Sequence, residues 1–195
     1  AIEQAGHPQP AIYPLNLEGA APKDYEEMGV TLQEQFGRLD GLLHNAAFLG
    51  SLTPIEHYDV ELWYRVLQVN LTGPFMLTRA CLGLLKRSSD ASVVFTSDEA
   101  ARAYWGAYGV SKHAIDGLMR ILADELEANT AVRVNGLDPG PVRTALRRSA
   151  YPAEDPGGLP DPEAVVDAYL YLMGPDSRGI TGRRLDARGE LPFTR

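Results

Sequence analysis

The sequence predicts an α/β fold built on a doubly wound parallel sheet, and three observations carry that expectation. Strand-like and helix-like segments alternate through the chain. The intervals between strand-like runs are too long for hairpins, so right-handed crossovers must join parallel strands covered on both faces. Small or polar residues gather at three strand ends: His44-Asn45-Ala46-Ala47, Thr96-Ser97 and Asp138-Pro139-Gly140-Pro141. In such a sheet those carboxyl ends border one crevice, and ligands bind there.

Each element has its own signal. Ala11 to Leu17 is a short apolar run ending in polar residues and reads as a strand. From Lys23 to Phe36, Tyr25, Met28, Leu32 and Phe36 recur at helical spacing, and Gly37 is a natural stop. Leu39 to His44 is a buried-strand pattern. A helix is expected from about Asp59 to Val69, continuing past Asn70 to Lys86. Ser92 to Thr96 is rich in β-branched and aromatic residues and reads as a strand. Ala107 to Ala128 carries an apolar stripe of Ile115, Leu118, Met119, Leu122 and Leu126, the mark of a long helix. Val132 to Leu137 is another strand. Tyr151 to Pro162, rich in Pro, Gly and acids, is a loop or lid. Glu163 to Met173 is helical, and Arg184 to Ala187 is a last short strand.

Composition narrows the function classes. The chain has 195 residues, 45% of them hydrophobic, which suits one domain with a substantial core. With 18 basic and 26 acidic residues the net charge is −8, which argues against a nucleic-acid or anionic-membrane surface. No apolar run approaches the roughly 20 residues of a membrane span, and no signal peptide pattern precedes the first strand. Cys81 is the single cysteine; no internal disulfide is possible, and a reducing cytoplasm is expected. His7, His44, His57 and His113 have no metal-ligand spacing, so no metal site is expected.

The chemistry centres on Tyr108 and Lys112. Four residues apart in a helix, their side chains leave on one face. An ammonium beside a phenol stabilises the phenolate and lowers a pKa that starts near 10, which equips the tyrosine for proton transfer. Taken alone, Tyr-x-x-x-Lys is as well explained by a ring packed on an aliphatic lysine stem.

The order of the surrounding motifs changes that balance. Asn45-Ala46, Asn70 in Val69-Asn70-Leu71, Tyr108 to Lys112, and Pro139-Gly140 followed by Val142 and Thr144 together resemble the short-chain dehydrogenase/reductase family. Phe95-Thr96-Ser97, Trp105-Gly106-Ala107-Tyr108 and Tyr171-Leu172-Met173-Gly174 resemble its bacterial oxoacyl-(acyl-carrier-protein) reductase-like branch. The resemblance implies a Rossmann-like domain, NAD or NADP as cofactor, and a small alcohol or carbonyl substrate. By the same resemblance Tyr108 is the general acid/base, and Lys112 holds the nicotinamide ribose and tunes the tyrosine. Asn70 interrupts its helix and holds a water for a proton relay. Ser97 is the nearest candidate for the substrate-orienting serine. Asn45 and Ala46 line the adenosine-ribose side, Pro139, Gly140 and Val142 border the nicotinamide, and Thr144 bonds its carboxamide. A homodimer or homotetramer is implied, packed through the long helix and the one holding Asn70.

Two features depart from the family pattern. The family's serine stands farther from its tyrosine than Ser97 does from Tyr108, a place that falls on Phe95 inside the strand. Asp98-Glu99 follow where hydroxyls or small residues are expected, and with a different loop length Asp98 could take the serine's place. The glycine-rich phosphate loop is also absent, together with the family's first two strands in the sheet order 3-2-1-4-5-6-7. The domain, spanning residues 1–195, is therefore expected to be N-terminally incomplete, with about fifty further residues implied by family length. Two rival readings remain open: a catalytically silent member that binds a nucleotide or partner, and a structural protein on a degraded fold.

Overall fold

The computed structural model describes Gly6 and residues 9–189. Helix α1 (Pro22–Phe36) leads to β1 (Gly41–His44). Then come α2 (Val60–Leu67), a π turn (Gln68–Thr72), α3 (Gly73–Leu85) and β2 (Ser92–Thr96). Helix α4 (Gly106–Glu127) precedes β3 (Arg133–Asp138), and α5 (Ala145–Ala150), α6 (Val166–Met173) and β4 (Arg184–Asp186) complete the order. All four strands are parallel in the order β1-β2-β3-β4.

The period-2 alternation of β2 explains the two layers. Val93 and Phe95 face a core shared with Met28 of α1, Cys81 and Leu85 of α3, and Ile115, Met119 and Leu122 of α4. Val94 points the other way, into a core with Leu137, Ala168, Tyr171 and Leu172. A third cluster, built on Leu49, Val66, Trp105 and Tyr108, lies at the carboxyl end of the sheet.

Local chemistry sets most boundaries as expected. Helix α1 begins with Pro22 and stops at Gly37, whose φ of 72° is left-handed and whose N–H bonds Gln33 O. The Asp59 carboxylate caps α2 by accepting from Leu62 N at 2.7 Å. The expected interruption at Asn70 is a π turn that joins α2 to α3 without a break in direction.

Three expectations need correction. Ala11 to Leu17 is not a strand: no strand pairs with the free edge of β1 among the described residues, and Ile12 is 88% exposed. Without a partner to take its N–H and C=O groups, the apolar run has no ladder to join. The helix expected from Glu163 begins as a 3-10 turn (Pro162–Val165), and only Val166–Met173 is α-helical. Helix α5 was not anticipated; Thr144 caps it by accepting from Arg147 N at 3.1 Å.

Among the described residues no helix is long and apolar enough to cross a membrane, and no group of His, Cys, Asp and Glu could hold a metal. Cys81 is buried and its thiol is pushed up to about 11 by desolvation, so it packs rather than reacts.

His44 closes β1 in a buried position. Its Nε2 lies 2.8 Å from Thr78 Oγ1, and its ring stacks on Phe95 with centroids 4.6 Å apart. Burial pulls its pKa from 6.5 down to about 4, so the fold keeps it neutral. The unfolded chain binds a proton below 6.5 that the folded chain does not. Stability contributed by this residue is therefore full above 6.5 and is lost as pH falls from 6.5 to about 4, by roughly 3 kcal/mol in all. Urea denaturation of wild type and His44→Gln at pH 7 and pH 4.5 should show a shallower loss in the variant. Equal losses would remove His44 from the account.

Candidate active site

The carboxyl ends of the strands open into a cleft of about 840 Å³. Leu43 and Asn45 supply one wall, Thr96 to Glu99 the floor, and Asp138 to Val142 the next strand end. Helix α4 contributes Tyr108 and Lys112, and Arg102, Trp105, Tyr151 and Tyr169 close the remaining side.

Tyr108 and Lys112 share the cleft-facing side of α4, as their spacing requires. Both are nearly buried, at 3% and 5% exposure. The Lys112 ammonium donates to Thr96 O at 2.8 Å and lies 5.6 Å from the centroid of the Tyr108 ring. Desolvation draws its pKa down to about 8 against the attraction of Asp98, Asp116 and Asp138. The Tyr108 hydroxyl donates to Asp98 Oδ2 at 2.9 Å. Its pKa is raised, first by burial and then by the Asp98 charge and hydrogen bond. The expected depression by Lys112 is thus overturned in this arrangement, because a buried phenol already bound to a carboxylate is held in its neutral form.

Ser97 also departs from expectation. It lines the cleft, but its hydroxyl donates to Asp116 Oδ1 at 2.7 Å and accepts from Arg184 Nε at 2.9 Å. Arg184 also bonds Asp138 Oδ2 at 2.8 Å and pairs with Glu99 at 3.0 Å. Drawn into this buried network, Ser97 does not meet Tyr108; Asp98 does. In the connecting loop Tyr104 is left-handed, with φ 74°, just before α4 begins. Gly106 follows with φ 39°, where a Cβ would come within 2.3 Å of the Tyr58 ring.

Asn70 stands outside the cleft lining. Its Oδ1 accepts from Phe48 N at 2.7 Å, and its Nδ2 donates to Phe48 O at 2.9 Å and Ser111 Oγ at 3.0 Å. Ser111 in turn donates to Tyr108 O at 2.7 Å. Asn70 therefore ties the π turn to the loop after β1 and to the first turns of α4. Asn45 Oδ1 accepts from Thr96 Oγ1 at 3.0 Å and lines the cleft, whereas Ala46 is exposed beside it. Pro139, Gly140, Val142 and Thr144 all reach the lining. Gly140 has φ 69°, its N–H bonds Asp138 Oδ1 at 2.8 Å, and a Cβ there would meet Arg188 at 2.6 Å. Thr144 spends its acceptor on the α5 cap and keeps its O–H free to donate.

The segment from Tyr151 to Pro162 is fastened over one end. Arg147 donates to both Glu154 oxygens at 2.7 and 2.6 Å and stacks 3.8 Å from the Tyr151 centroid. Arg143 pairs with Asp161, and Arg102 bonds the Tyr151 hydroxyl while lying 4.4 Å over Trp105. Sequence reasoning did not single out Arg102, Tyr151 or Tyr169; the pairing of Trp105 with Arg102 three residues before it was the available signal.

With this geometry in place, the comparisons with known proteins agree. A family model described as enoyl-(acyl carrier protein) reductase matches residues 3–189. The oxidoreductase YciK of Escherichia coli is 42% identical over 189 residues, covering 95% of this chain and 74% of YciK. A solved short chain dehydrogenase from Pseudomonas syringae superposes with TM-score 0.93 at 54% identity, covering 95% of this chain and 76% of that one. A short chain dehydrogenase from Escherichia coli CFT073 complexed with NADPH gives TM-score 0.91 at 43% identity, covering 96% of this chain and 78% of that one. The chain spans about two thirds of the next curated relatives. The fold and site define a Rossmann-like nucleotide-binding enzyme domain. The chain belongs to the short-chain dehydrogenase/reductase family, whose members are NAD(P)-dependent oxidoreductases.

Replacing Ser97 with Ala should remove two part-buried hydrogen bonds and cost about 1–3 kcal/mol in denaturant unfolding. Turnover should change less than about tenfold. A loss nearer 10²-fold at unchanged stability would restore Ser97 as the group that orients substrate.

Proposed function

We propose that this protein transfers hydride between NADP(H) and a small substrate carrying a reducible double bond to oxygen or nitrogen, a carbonyl and its alcohol being the general case. The observation that carries this reading is the Tyr108–Lys112 pair, buried on one face of α4 and opening into the cleft at the strand ends. The residues present fit a nicotinamide riboside. Lys112 has spent one of its three N–H groups on Thr96 O, which leaves two for a ribose diol. Gly140, without a side chain, allows close approach at the Pro139-Gly140 turn, and the Thr144 hydroxyl is free to donate to a carboxamide. The NADPH complex of a relative 43% identical favours NADP over NAD.

Bound nicotinamide supplies or accepts the hydride. The protein's own part is to place the substrate against Tyr108 Oη, which gives its proton to the oxygen as hydride arrives. Lys112 holds its own position through Thr96 and presents positive charge to the developing charge nearby. Asn70 and Ser111 fix the backbone of Tyr108, so the hydroxyl is aimed before substrate enters. Trp105 and Tyr151 exclude water from that end of the cleft.

The second reading, a silent member that binds nucleotide without turnover, is favoured by one feature: the Tyr108 hydroxyl already has a resident acceptor in Asp98. Tyr108→Phe separates the two. Turnover of a carbonyl substrate should fall by about 10³-fold or more while NADPH affinity, read by fluorescence titration, stays within a few-fold. Full activity of the variant on a carbonyl substrate would end the dehydrogenase reading, and NADPH binding without turnover on any carbonyl or imine would favour the silent one. A cytoplasmic setting suits a chain whose one thiol is buried and inert.

We also infer a homodimer or homotetramer. Helix α4 leaves Val110 and Ile121 exposed, α2 leaves Val60 and Tyr64, and α3 leaves Phe75. Such apolar residues on helices bordering one another are better covered than wetted. Sedimentation at micromolar concentration should give a multiple of the protomer mass, reduced by Ile121→Asp. A monodisperse protomer would count against it.

A further inference from the structure

Asp98 is the feature of this cleft that neither the family pattern nor the general reaction explains. It follows β2 directly, half-buried in the cleft lining, with one oxygen 2.9 Å from the Tyr108 hydroxyl. An atom that is to receive the Tyr108 proton must also lie within hydrogen-bond reach of that hydroxyl, and so no farther than two hydrogen-bond lengths from the Asp98 oxygen. A carboxylate has acceptors only. A hydroxyl at the same place could donate to a carbonyl oxygen; Asp98 sets its own lone pairs against that oxygen's. The group that matches it is a donor, and best a charged one.

Lys112 and Arg188 lie within electrostatic reach of Asp98, but neither bonds it. Among the described residues Asp98 forms no ion pair, and its hydrogen bond is the one from Tyr108. Lys112 is tied to Thr96 O, Arg184 to Glu99, Asp116 and Asp138, and Arg188 to Asp186. Tyr108 is meanwhile held as a phenol, which makes it a hydrogen-bond donor and a poor base.

We propose that Asp98 determines the substrate class, selecting a C=N compound that brings an N–H cation to Tyr108, an iminium, over a carbonyl compound. The proposal rests on the nicotinamide-dependent reading above and refines it. The step balances without a separate proton. Hydride from the reduced nicotinamide forms the new C–H bond at the iminium carbon. The C=N π pair becomes the nitrogen lone pair, the positive charge is lost, and the nicotinamide is oxidised. Asp98 holds the N–H through the step, and the Tyr108 hydroxyl remains available to the nitrogen lone pair that forms.

Binding and turnover test this separately. Calorimetry at pH 7 on the purified protein, with NADP present, would compare piperidine, which is protonated there, with cyclohexanone, a ring of the same size. Wild type should bind the ammonium about tenfold or more tighter, the increment of one charge-assisted hydrogen bond. Asp98→Asn, close in shape and able to donate, should abolish that preference, and Asp98→Ser should turn it toward the ketone. In turnover with NADPH, the cyclic imine 1-piperideine should exceed cyclohexanone in kcat/KM for wild type, with the order reversed in Asp98→Ser. Equal or tighter ketone binding by wild type overturns the proposal, as does an ammonium preference that survives in folded Asp98→Asn. Failure of NADPH to bind, with the ammonium preference intact, would instead fail the dehydrogenase reading and leave the assignment of Asp98 as the cation acceptor standing.

Discussion

The Lys112 ammonium, almost completely buried and donating to Thr96 O at 2.8 Å, is the contact on which the arrangement of the cleft depends. A charge removed from water must be met by partners, and here the first is the carbonyl at the end of β2. That requirement brings the opening turns of α4 over the carboxyl edge of the sheet. Tyr108, one helical turn earlier, is carried to the same mouth. Burial lowers the Lys112 pKa only to about 8, so the side chain remains largely charged near neutral pH while three carboxylates offset the cost.

Two of those carboxylates, Asp116 and Asp138, have their own organiser. Arg184 reaches from β4 to Glu99, Asp116 and Asp138, joining the loop after β2, the middle of α4 and the end of β3. One guanidinium with a planar fork of donors suits this task, since several acids would otherwise face one another across the cleft. The same network draws the Ser97 hydroxyl inward, which leaves Asp98 to face Tyr108. The wall of the cleft that faces Tyr108 is thus shaped by a structural ion cluster one residue away.

Where the π turn meets α4, Asn70 performs a comparable service without charge. Both N–H groups and one acceptor position of the Asn70 amide are engaged by Phe48 and Ser111, across three separate segments of chain. A buried amide that is well satisfied in this way favours one packing over its neighbours. Its effect on Tyr108 is transmitted through the Ser111 bond to the tyrosine's own carbonyl.

Much of this was legible without coordinates. β-Branched runs gave Ser92–Thr96 its strand, helical spacing gave α1 and α4, and Gly37 marked a stop, because these signals act over a few residues. Tyr108 and Lys112 share a face through helix geometry alone, and the strand-end residues Asn45, Thr96 and Pro139-Gly140 meet because parallel strands align their carboxyl ends. The sequence could not decide what depends on a neighbour far away in the chain. Ala11 to Leu17 has a strand's composition but no paired edge, and that Thr144 also caps a helix is not visible until α5 is seen to start there. The direction of the Tyr108 pKa required knowing that burial and Asp98 outweigh Lys112. The turning of Ser97 depended on Arg184, 87 residues later. Local geometry is written in adjacent residues, whereas burial and charge balance arise only when distant segments share one space.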